Sequence, residues 1–526
     1  MSGPASAAPR ATTRPVGLTI VFSLAVAGLS WLPSVRQNSN LVWSFWGASA
    51  ALLAWSGILS LQVRRAHRSL AIELVLRKQH YLQACAQGSV LLYWGWYWRP
   101  VYGAAPLIAA QLAFAYAFDM LLSWSRRDTY SLGFGPFPVI FSINLFLWFK
   151  PDWFYLQFLM VALGFAAKEL IRWSKDGRRT HIFNPSSFPL AVFSIVLILT
   201  NTTNLTWGPE IADTQFRPPH IYLWLFLVGL PGQLFFGVTS MTMSAVVTMY
   251  GFGLLYYWVT GTYYFFGYIP IAVFLGMHLL FTDPSTSPRT ELGRIIFGML
   301  YASSVLAVYA WLDAYRIASF YDKLLPVPLL NLSIKLIDRA ARSTALSRFD
   351  PASLGRTLPP RRRNLAYMTI WAIVFATMNA AQGVGDTHRA RWVPFWQNAC
   401  RDGRRNGCQN LALMEGTYCK TGSGWACNEL GLLLARGQYG NPGAAGSAFR
   451  YACDLGFPTG CRNLQMFSSG GGALESASPR LADYPIVLNE GKGPLPDRTA
   501  LALYRRGCRQ GWAAACQSLD GGRGSP

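Results

Sequence analysis

The sequence predicts an all-α protein in two parts: a polytopic membrane helical bundle of about thirteen spans, then a disulfide-stapled domain of αα-hairpin repeats outside the cytoplasm. Of its 526 residues, 52% are hydrophobic and only 13% are charged. Soluble domains carry roughly 25% charged residues, which argues against a soluble enzyme. Long apolar runs recur as far as residue 383, and eight of the nine cysteines lie beyond them.

The long apolar runs predict the membrane spans. Each is long enough for the roughly 30 Å hydrocarbon core, which takes about 17–25 helical residues. Because unpaired backbone groups are costly in lipid, we expect helices or half-helices. The segment 324–337 is short and contains Pro326 and Pro328. We place the spans near 16–33, 41–62, 81–98, 103–123, 132–149, 152–170, 184–200, 220–237, 238–259, 263–281, 293–312, 324–337 and 365–383.

The positive charge predicts the orientation of these spans. Lys and Arg outnumber Asp and Glu by 46 to 24, for a net charge of +22. With a cytoplasmic N-terminus, the inner loops hold 24 Lys and Arg residues and the outer loops hold six. The protein is therefore expected to be a multi-pass protein of the plasma (bacterial inner) membrane, with residues 385–526 extracytoplasmic. Nucleic-acid binding is not expected, because the charge follows the loops rather than one face. The inner loops are 1–15, 63–80, 124–131, 168–181, 282–294 and 335–363, of which 63–80 is expected to form a helix lying on the inner leaflet.

The cysteines predict the second part. The pattern C-x2-G-x4-C-x2-L occurs four times in the tail. Eight residues of continuous helix would separate the two Cα atoms by about 12 Å, whereas a disulfide needs roughly 4.4–6.8 Å. The chain must turn between them, and glycine ends a helix in the left-handed conformation. A zinc site is not expected, because C-x7-C is not a usual spacing and His388 is the only histidine nearby. The predicted pairs, which fit an oxidising compartment, are Cys400 and Cys408, Cys419 and Cys427, Cys453 and Cys461, and Cys508 and Cys516.

The tail resembles the Sel1-like repeats of secreted cysteine-rich proteins, most closely in AFRYACDLGFPTGCRNL. Aromatic residues four before the first cysteine (Trp396, Phe449, Tyr504) would pack each hairpin, and Glu415 breaks that pattern. First-cysteine spacings of 19, 34 and 55 predict an irregular array, since only 34 suits a full hairpin. Such solenoids bind partners, so a protein partner is expected at the tail.

Three phrases of the membrane part carry a second resemblance. THIFNPSSFPLA (180–191), MHLLFTDPSTSPRTELGRIIFGMLYA (277–302) and PLLNLSIKLIDRAARS (328–343) occur in this order. Together they resemble the membrane flavoprotein family whose members are subunits of the sodium-pumping NADH:quinone oxidoreductase and of the Rnf complex. The resemblance covers roughly residues 125–345. The stretch 80–103 resembles a side branch, the membrane proteins encoded with enediyne biosynthesis.

The resemblance implies inverted five-helix repeats, with the FNP and TDP phrases as related half-helix breaks beside FMN or another flavin. Broken helices are tolerated in membranes where they line a cavity; the other interpretation is that these residues merely cap helices. The family attaches FMN to a threonine in an S-x-A-T-type phrase that this chain lacks, which puts covalent attachment in doubt. Thr214 is the nearest threonine, and His278 lies five residues before Asp283. The candidate cofactor-binding residues are Asn184, Pro185, Ser186, Thr214, His278, Thr282, Asp283, Pro284 and Thr286.

The predicted organisation is N-terminal transmembrane helices (1–124), an electron-transport-like core (125–345), a basic loop with the last span (346–384) and the repeats (385–526). The expected function is that of an integral membrane subunit of an electron-transport system, without a stand-alone activity. Its partners would be membrane lipid, other membrane redox subunits and a protein at the tail. The alternative is a flavin-free transporter or a membrane scaffold.

Overall fold

The computed structural model describes residues 15–175, 177–315, 317–354, 358–382, 388–470, 472–488 and 498–521. The chain is mostly helical, as predicted, and divides into two compact units. The first comprises Met1–Phe216, Ile221–Met249 and Ile271–Phe375; the second comprises Arg217–His220, Tyr250–Pro270 and Ala376–Pro526.

Seventeen helices are described before the tail, and several begin with proline. Pro33, Pro100, Pro136 and Pro326 each occupy a first helical turn, where the missing N–H removes no intrahelical hydrogen bond. The helices are α1 Val16–Leu29, α2 Pro33–Arg36, α3 Ser39–Arg65, α4 Lys78–Tyr97, α5 Pro100–Gly103, α6 Ala105–Trp124, α7 Pro136–Asn144, α8 Tyr155–Leu170, α9 Ser187–Leu199, α10 Gly208–Thr214, α11 Ile221–Phe236, α12 Thr239–Thr260, α13 Ile271–Leu279, α14 Glu291–Ala314, α15 Pro326–Ala341, α16 Pro351–Leu354 and α17 Pro360–Gln382.

Within the described ranges, four helices are long and apolar enough to cross a membrane: Ser39–Arg65, Ala105–Trp124, Glu291–Ala314 and Pro360–Ala381. Shorter apolar helices include α1, α9 and α11. The thirteen predicted spans are not confirmed as such. Two of them, 132–149 and 263–281, contain helices of only nine residues, α7 and α13. The chain leaves α7 well before its apolar run ends, and it enters α13 only about halfway along its run.

Beyond the end of α7, side-chain amides make hydrogen bonds that a longer helix would have made through its backbone. Asn144 and Gln111 exchange two hydrogen bonds, from Asn144 Nδ2 to Gln111 Oε1 at 2.9 Å and from Gln111 Nε2 to Asn144 Oδ1 at 3.1 Å. Gln157 Oε1 accepts a hydrogen bond from the backbone N–H of Phe149 at 3.1 Å. All three amides are buried. A half-helix can end in an apolar interior only where such groups satisfy the backbone.

Loops that the charge pattern assigns to the inner side contact one another. Strand β1 (Ala71–Leu74) pairs in parallel with β2 (Thr129–Leu132), and Arg68 Nε lies 2.6 Å from Asp128 Oδ1. A hairpin of β3 (Arg172–Lys175) and β4 (Arg178–His181) follows α8. The helix predicted over 63–80 is therefore wrong: α3 ends at Arg65 and the chain then pairs with β2.

Loops assigned to the outer side also contact one another. Asn38 Nδ2 donates a hydrogen bond to Asp152 Oδ1 at 2.7 Å. The backbone N–H of Lys150 donates to the carbonyl oxygen of Leu205 at 2.9 Å. Successive connections of the first unit therefore alternate between its two ends, and connections at the same end contact one another.

Four disulfides join consecutive helices of the tail, and they are the four predicted pairs. Their Cα–Cα distances are 4.4, 4.6, 4.5 and 4.7 Å in chain order. Each bridges the last turns of one helix and the first turns of the next. The tail helices are α18 Val393–Arg401, α19 Gly407–Lys420, α20 Gly424–Ala435, α21 Ala445–Asp454, α22 Pro458–Ser469, α23 Tyr484–Val487, α24 Ala500–Gln510 and α25 Ala513–Gly521.

The glycine of each cysteine pair makes the turn, as predicted. Gly403, Gly422, Gly456 and Gly511 have φ of +65°, +106°, +70° and +94°, a region that residues with a Cβ rarely adopt. The aromatic positions Trp396 and Phe449 are fully buried. Glu415, which breaks the aromatic pattern, is also buried, at 1% exposure.

The segment Tyr250–Pro270 belongs to the same unit as the tail. The Tyr263 ring lies 4.5 Å from the His388 ring and 5.1 Å from Phe395. Thr262 Oγ1 donates a hydrogen bond to the carbonyl oxygen of Arg405 at 3.1 Å. The first residues of the tail therefore pack against the connection between α12 and α13, which is an outer loop in the predicted topology.

Candidate cofactor site

A polar cavity of about 440 Å³ lies at the inner-loop end of the first unit. Its wall is formed by the start of α4, by β2 and the start of α7, by the end of α8, by β4, and by the segments 184–186 and 283–285. The FNP and TDP phrases, a hundred residues apart in sequence, therefore share one cavity. We call it the motif cavity.

Asn184 organises the first phrase, just before the start of α9. Its Oδ1 accepts hydrogen bonds from the backbone N–H groups of Ser186 at 2.9 Å and Ser187 at 3.1 Å. Pro185 turns the chain between them, and its carbonyl oxygen packs against Gly164 of α8, where an added Cβ would lie 2.3 Å away. The residue at the N-cap position of α9 is Ser186, whose side chain makes no capping hydrogen bond. Asn184, Pro185 and Ser186 all line the cavity.

Asp283 organises the second phrase. Its Oδ1 accepts from the backbone N–H of Ser285 at 2.9 Å, and its Oδ2 lies 3.3 Å from Thr286 Oγ1 and 3.3 Å from His181 Nε2. Burial acts to raise the pKa of Asp283, but these hydrogen bonds and the charge of His181 together hold it below its usual value. Asp283 is therefore an ionised carboxylate that orients His181 at the cavity wall.

Asn331 of α15 connects the two phrases. Its Oδ1 accepts from the backbone N–H of Asn184 at 3.1 Å, and its Nδ2 donates to the carbonyl oxygen of Thr286 at 3.1 Å. Two turns further along α15, Asp338 accepts from the backbone N–H of Thr290 at 3.1 Å. The third phrase of the resemblance thus holds the other two in place.

The end of α13 is closed by three amides from neighbouring segments. Gln83 and Gln87 direct Nε2 towards the carbonyl oxygen of Leu279, at 3.4 and 3.3 Å. Asn184 Nδ2 donates to the carbonyl oxygen of Leu280 at 3.0 Å. Side-chain amides thus satisfy backbone groups at the end of α13, as they do beyond the end of α7.

Carboxylates form ion pairs with some of the basic side chains at the cavity wall. Glu169 accepts two hydrogen bonds from Arg127, at 3.0 and 3.1 Å, and one from Arg172 at 2.6 Å. Asp119 lies 3.5 Å from Lys168 Nζ. These pairs fix the ends of α6 and α8 at the cavity wall.

Four of the predicted residues do not line the cavity. Thr214 is buried on α10 and its hydroxyl accepts a hydrogen bond from the Trp94 indole at 3.2 Å. His278 is buried beside Phe274, with ring centroids 4.2 Å apart. Thr282 donates to the carbonyl oxygen of His278 at 2.9 Å. Thr286 Oγ1 lies 3.3 Å from Asp283 Oδ2. The structure therefore leaves these four residues outside the cavity lining. It brings together the other five candidates, which are Asn184, Pro185, Ser186, Asp283 and Pro284.

Sequence reasoning missed His80 and Asn331. His80 lines the cavity from the first turn of α4, and burial, with the charges of Lys168 and Arg77, lowers its pKa to about 4. The His80 ring is therefore neutral near pH 7. The only sequence feature that could have marked His80 as a site residue was its position in the basic segment 63–80. Asn331 was marked only by its position in the third phrase.

No family model, curated protein or solved structure matches the chain. Among the residues that the structure describes, no group of three or more His, Cys, Asp or Glu could hold a metal ion. The cavity offers cations, hydroxyl groups, imidazoles and the aromatic rings of Tyr130 and Phe236, a set suited to an anionic, partly aromatic molecule.

Proposed function

We propose that this protein is an integral membrane subunit of an electron-transport system, similar to those of the Rnf and sodium-pumping NADH:quinone oxidoreductase complexes, and that it binds a flavin non-covalently in the motif cavity. One observation carries the proposal. The FNP and TDP phrases, in which the sequence resembles that family, meet at one cavity and are joined by the third phrase through Asn331.

The chemistry of the cavity fits FMN. Its volume of about 440 Å³ lies within the roughly 300–1,000 Å³ of small-molecule sites. Phe236 provides apolar surface for an aromatic ring system, and the cations provide partners for a phosphate. A bound flavin would supply one- and two-electron transfer. Thr214 lies on α10 outside this cavity, which favours a flavin held without a covalent bond.

The two-ended arrangement of the first unit supports the proposed topology. Hydrogen bonds link inner-assigned loops with inner-assigned loops, as in β1 and β2, and outer with outer, as in Asn38 and Asp152. In this topology of about thirteen spans, the motif cavity opens to the cytoplasm and the tail lies outside it. Four disulfides in the tail fit an oxidising compartment.

We propose that the tail, as an irregular array of Sel1-like hairpins, docks a protein partner. In three hairpins the residue four before the first cysteine is buried, at Trp396, Glu415 and Phe449, and in the fourth Tyr504 is half-buried. Stacked helical hairpins expose extended surfaces that commonly serve for binding. The tail would then bring a redox partner to the outer face of the membrane part.

Purification of the full chain from membranes tests the flavin. The protein should be yellow, and denaturation should release about one flavin per chain, identified by mass spectrometry. Asn331→Leu should lower this occupancy, whereas Ser333→Ala, on the same helix, should not. A colourless wild-type protein without extractable flavin would contradict the proposal and favour the alternative, a transporter or scaffold.

A further inference from the structure

The last turns of α12 carry an exposed apolar face. Leu255, Trp258 and Val259 lie three or four residues apart, on one side of the helix, and they are 58%, 82% and 69% exposed. The opposite side packs inward, since the Tyr257 ring stacks on the Tyr263 ring with 4.6 Å between centroids. Tryptophan is enriched where a helix leaves the hydrocarbon and enters the headgroup region. In the proposed topology, this face therefore lies at the outer boundary of the membrane.

The first corner of the tail, residues 401–407 between the cysteines of the first hairpin, contacts the chain directly after α12. Arg404 Nη1 donates a hydrogen bond to the carbonyl oxygen of Gly261 at 3.2 Å. Thr262 Oγ1 donates one to the carbonyl oxygen of Arg405 at 3.1 Å. All of these residues belong to the second compact unit. The first corner is therefore held within about one helical turn of the exposed apolar face.

The first corner is the most basic of the four. It contains Arg401, Arg404 and Arg405, whereas the corners of the second, third and fourth hairpins contain one, no and one lysine or arginine. All three arginines are exposed, and Asp402, the only carboxylate of the corner, pairs with Arg404 at 2.9 Å. Among the residues that the structure describes, no carboxylate pairs with Arg401 or Arg405. The corner nearest to the end of α12 thus presents positive charge that the protein does not neutralise.

We infer that the first corner and the exposed face of α12 form one binding surface for anionic phospholipid, with Arg401 and Arg405 at the headgroup phosphates and Trp258 beside the acyl chains. Guanidinium groups bind phosphate oxygens through charge-assisted hydrogen bonds, and basic residues beside a membrane attract anionic lipid. The inference rests on the membrane location in the proposed function and not on the flavin. It places the first hairpin against the outer leaflet and leaves the later hairpins for a protein partner.

Hydrogen exchange of the full chain in nanodiscs tests the inference. The amides of the first corner should exchange more slowly in discs that contain phosphatidylglycerol than in discs of phosphatidylcholine alone, because bound headgroups cover the corner. The corresponding corner of the third hairpin, residues 454–460, holds no lysine or arginine and should exchange equally in both. Added salt should reduce the difference at the first corner, since it screens exposed charges. Equal exchange of the first corner in the two kinds of disc would overturn the inference.

Two exposed arginines can be removed without loss of an ion pair. The double variant Arg401→Gln, Arg405→Gln should need more phosphatidylglycerol for the same protection, because each basic residue beside an anionic surface adds about fivefold to the affinity. Trp258→Ser should weaken the protection as well. The control variant Arg450→Gln, Arg505→Gln, which changes exposed arginines of later helices, should behave as the wild type. An unchanged lipid dependence in the first double variant would contradict the inference.

Flavin extraction from the same samples separates this inference from the flavin proposal. If phosphatidylglycerol protects the first corner and denaturation releases no flavin, the proposed flavin site fails and the lipid-binding surface stands. If flavin is released and the corner exchanges equally in both kinds of disc, the lipid-binding surface is wrong, and its arginines are left for a protein partner.

Discussion

The side chain of Asn331 accepts a hydrogen bond from the backbone N–H of Asn184, at 3.1 Å and across 147 residues of sequence. The same amide donates to the carbonyl oxygen of Thr286. Asn331 is fully buried, so neither bond can be replaced by bulk water. The two breaks that form the motif cavity are thus held at a fixed separation by one residue.

Asn331→Leu should destabilise the protein by about 2–6 kcal/mol, because it leaves a buried N–H and a buried carbonyl without partners, at about 1–3 kcal/mol each. Thermal unfolding in detergent measures this as a lower Tm. Ser333→Ala is the control, since its hydroxyl bonds only within α15. Equal melting temperatures for wild type and Asn331→Leu would show that the amide does not hold the breaks together.

Gly164→Ala should disturb the FNP phrase directly. A Cβ at Gly164 would lie 2.3 Å from the carbonyl oxygen of Pro185, so α8 and the phrase must separate. Overpacking of this kind costs about 1–3 kcal/mol, and we expect a lower Tm together with weaker retention of any cavity ligand. Gly57→Ala is the matched control, because an added Cβ there meets nothing within 4 Å. An unchanged Tm for Gly164→Ala would contradict the close packing.

Glu415 should make the stability of the tail depend on pH. Burial, and then the charge of Glu429, raises its pKa well above the usual 4.5. The folded tail therefore holds this proton more tightly than the unfolded chain, and the resulting stability is fully present below pH 4.5 and is lost as the pH rises through the folded-state pKa.

Glu415→Gln cannot ionise, so it should stabilise the tail at neutral pH and give little gain in mild acid. Hydrogen exchange of α19 and α20 in the full-length protein measures this. Asp454→Asn, which changes an exposed carboxylate of the same domain, should show no such pH-dependent gain. Slower exchange in the wild type than in Glu415→Gln at neutral pH would contradict the sign.

Thiol titration of the denatured, unreduced protein should find one free thiol. Cys85 is the free cysteine, and it is exposed. The eight cysteines of the tail are disulfide-bonded, so reduction should raise the count to all nine. Cys85→Ser should leave no free thiol before reduction. Several thiols in the unreduced wild type would mean that the tail is not oxidised.

Local features of the tail were predictable from the sequence because their causes are local. A disulfide over eight residues requires a turn, and Gly403 and Gly456 supply the conformation that the turn needs. The buried carboxyl of Glu415 was visible only as a break in the aromatic pattern. Its burial depends on the packing of α19 against its neighbours, which spacing does not reveal.

Long-range features of the membrane part were only partly predictable. The resemblance indicated that the FNP and TDP phrases belong together, and they do share a cavity. Nothing in the residue pattern marked Asn331 as their connection, because a single buried amide in an apolar helix looks the same whatever it contacts. The short helices α7 and α13 were also missed, since hydropathy measures an apolar run and not whether amides such as Gln157 replace the helix within it.

The spacing of the disulfides has a consequence for biogenesis. Every cysteine of the tail has its partner eight residues away, so in each hairpin the cysteine nearest in sequence is the native partner. Closing such a short loop stabilises a hairpin by about 2–3 kcal/mol in the chain-entropy model. In the proposed extracytoplasmic location, each corner can therefore be sealed before later residues arrive, without reshuffling of bonds between hairpins.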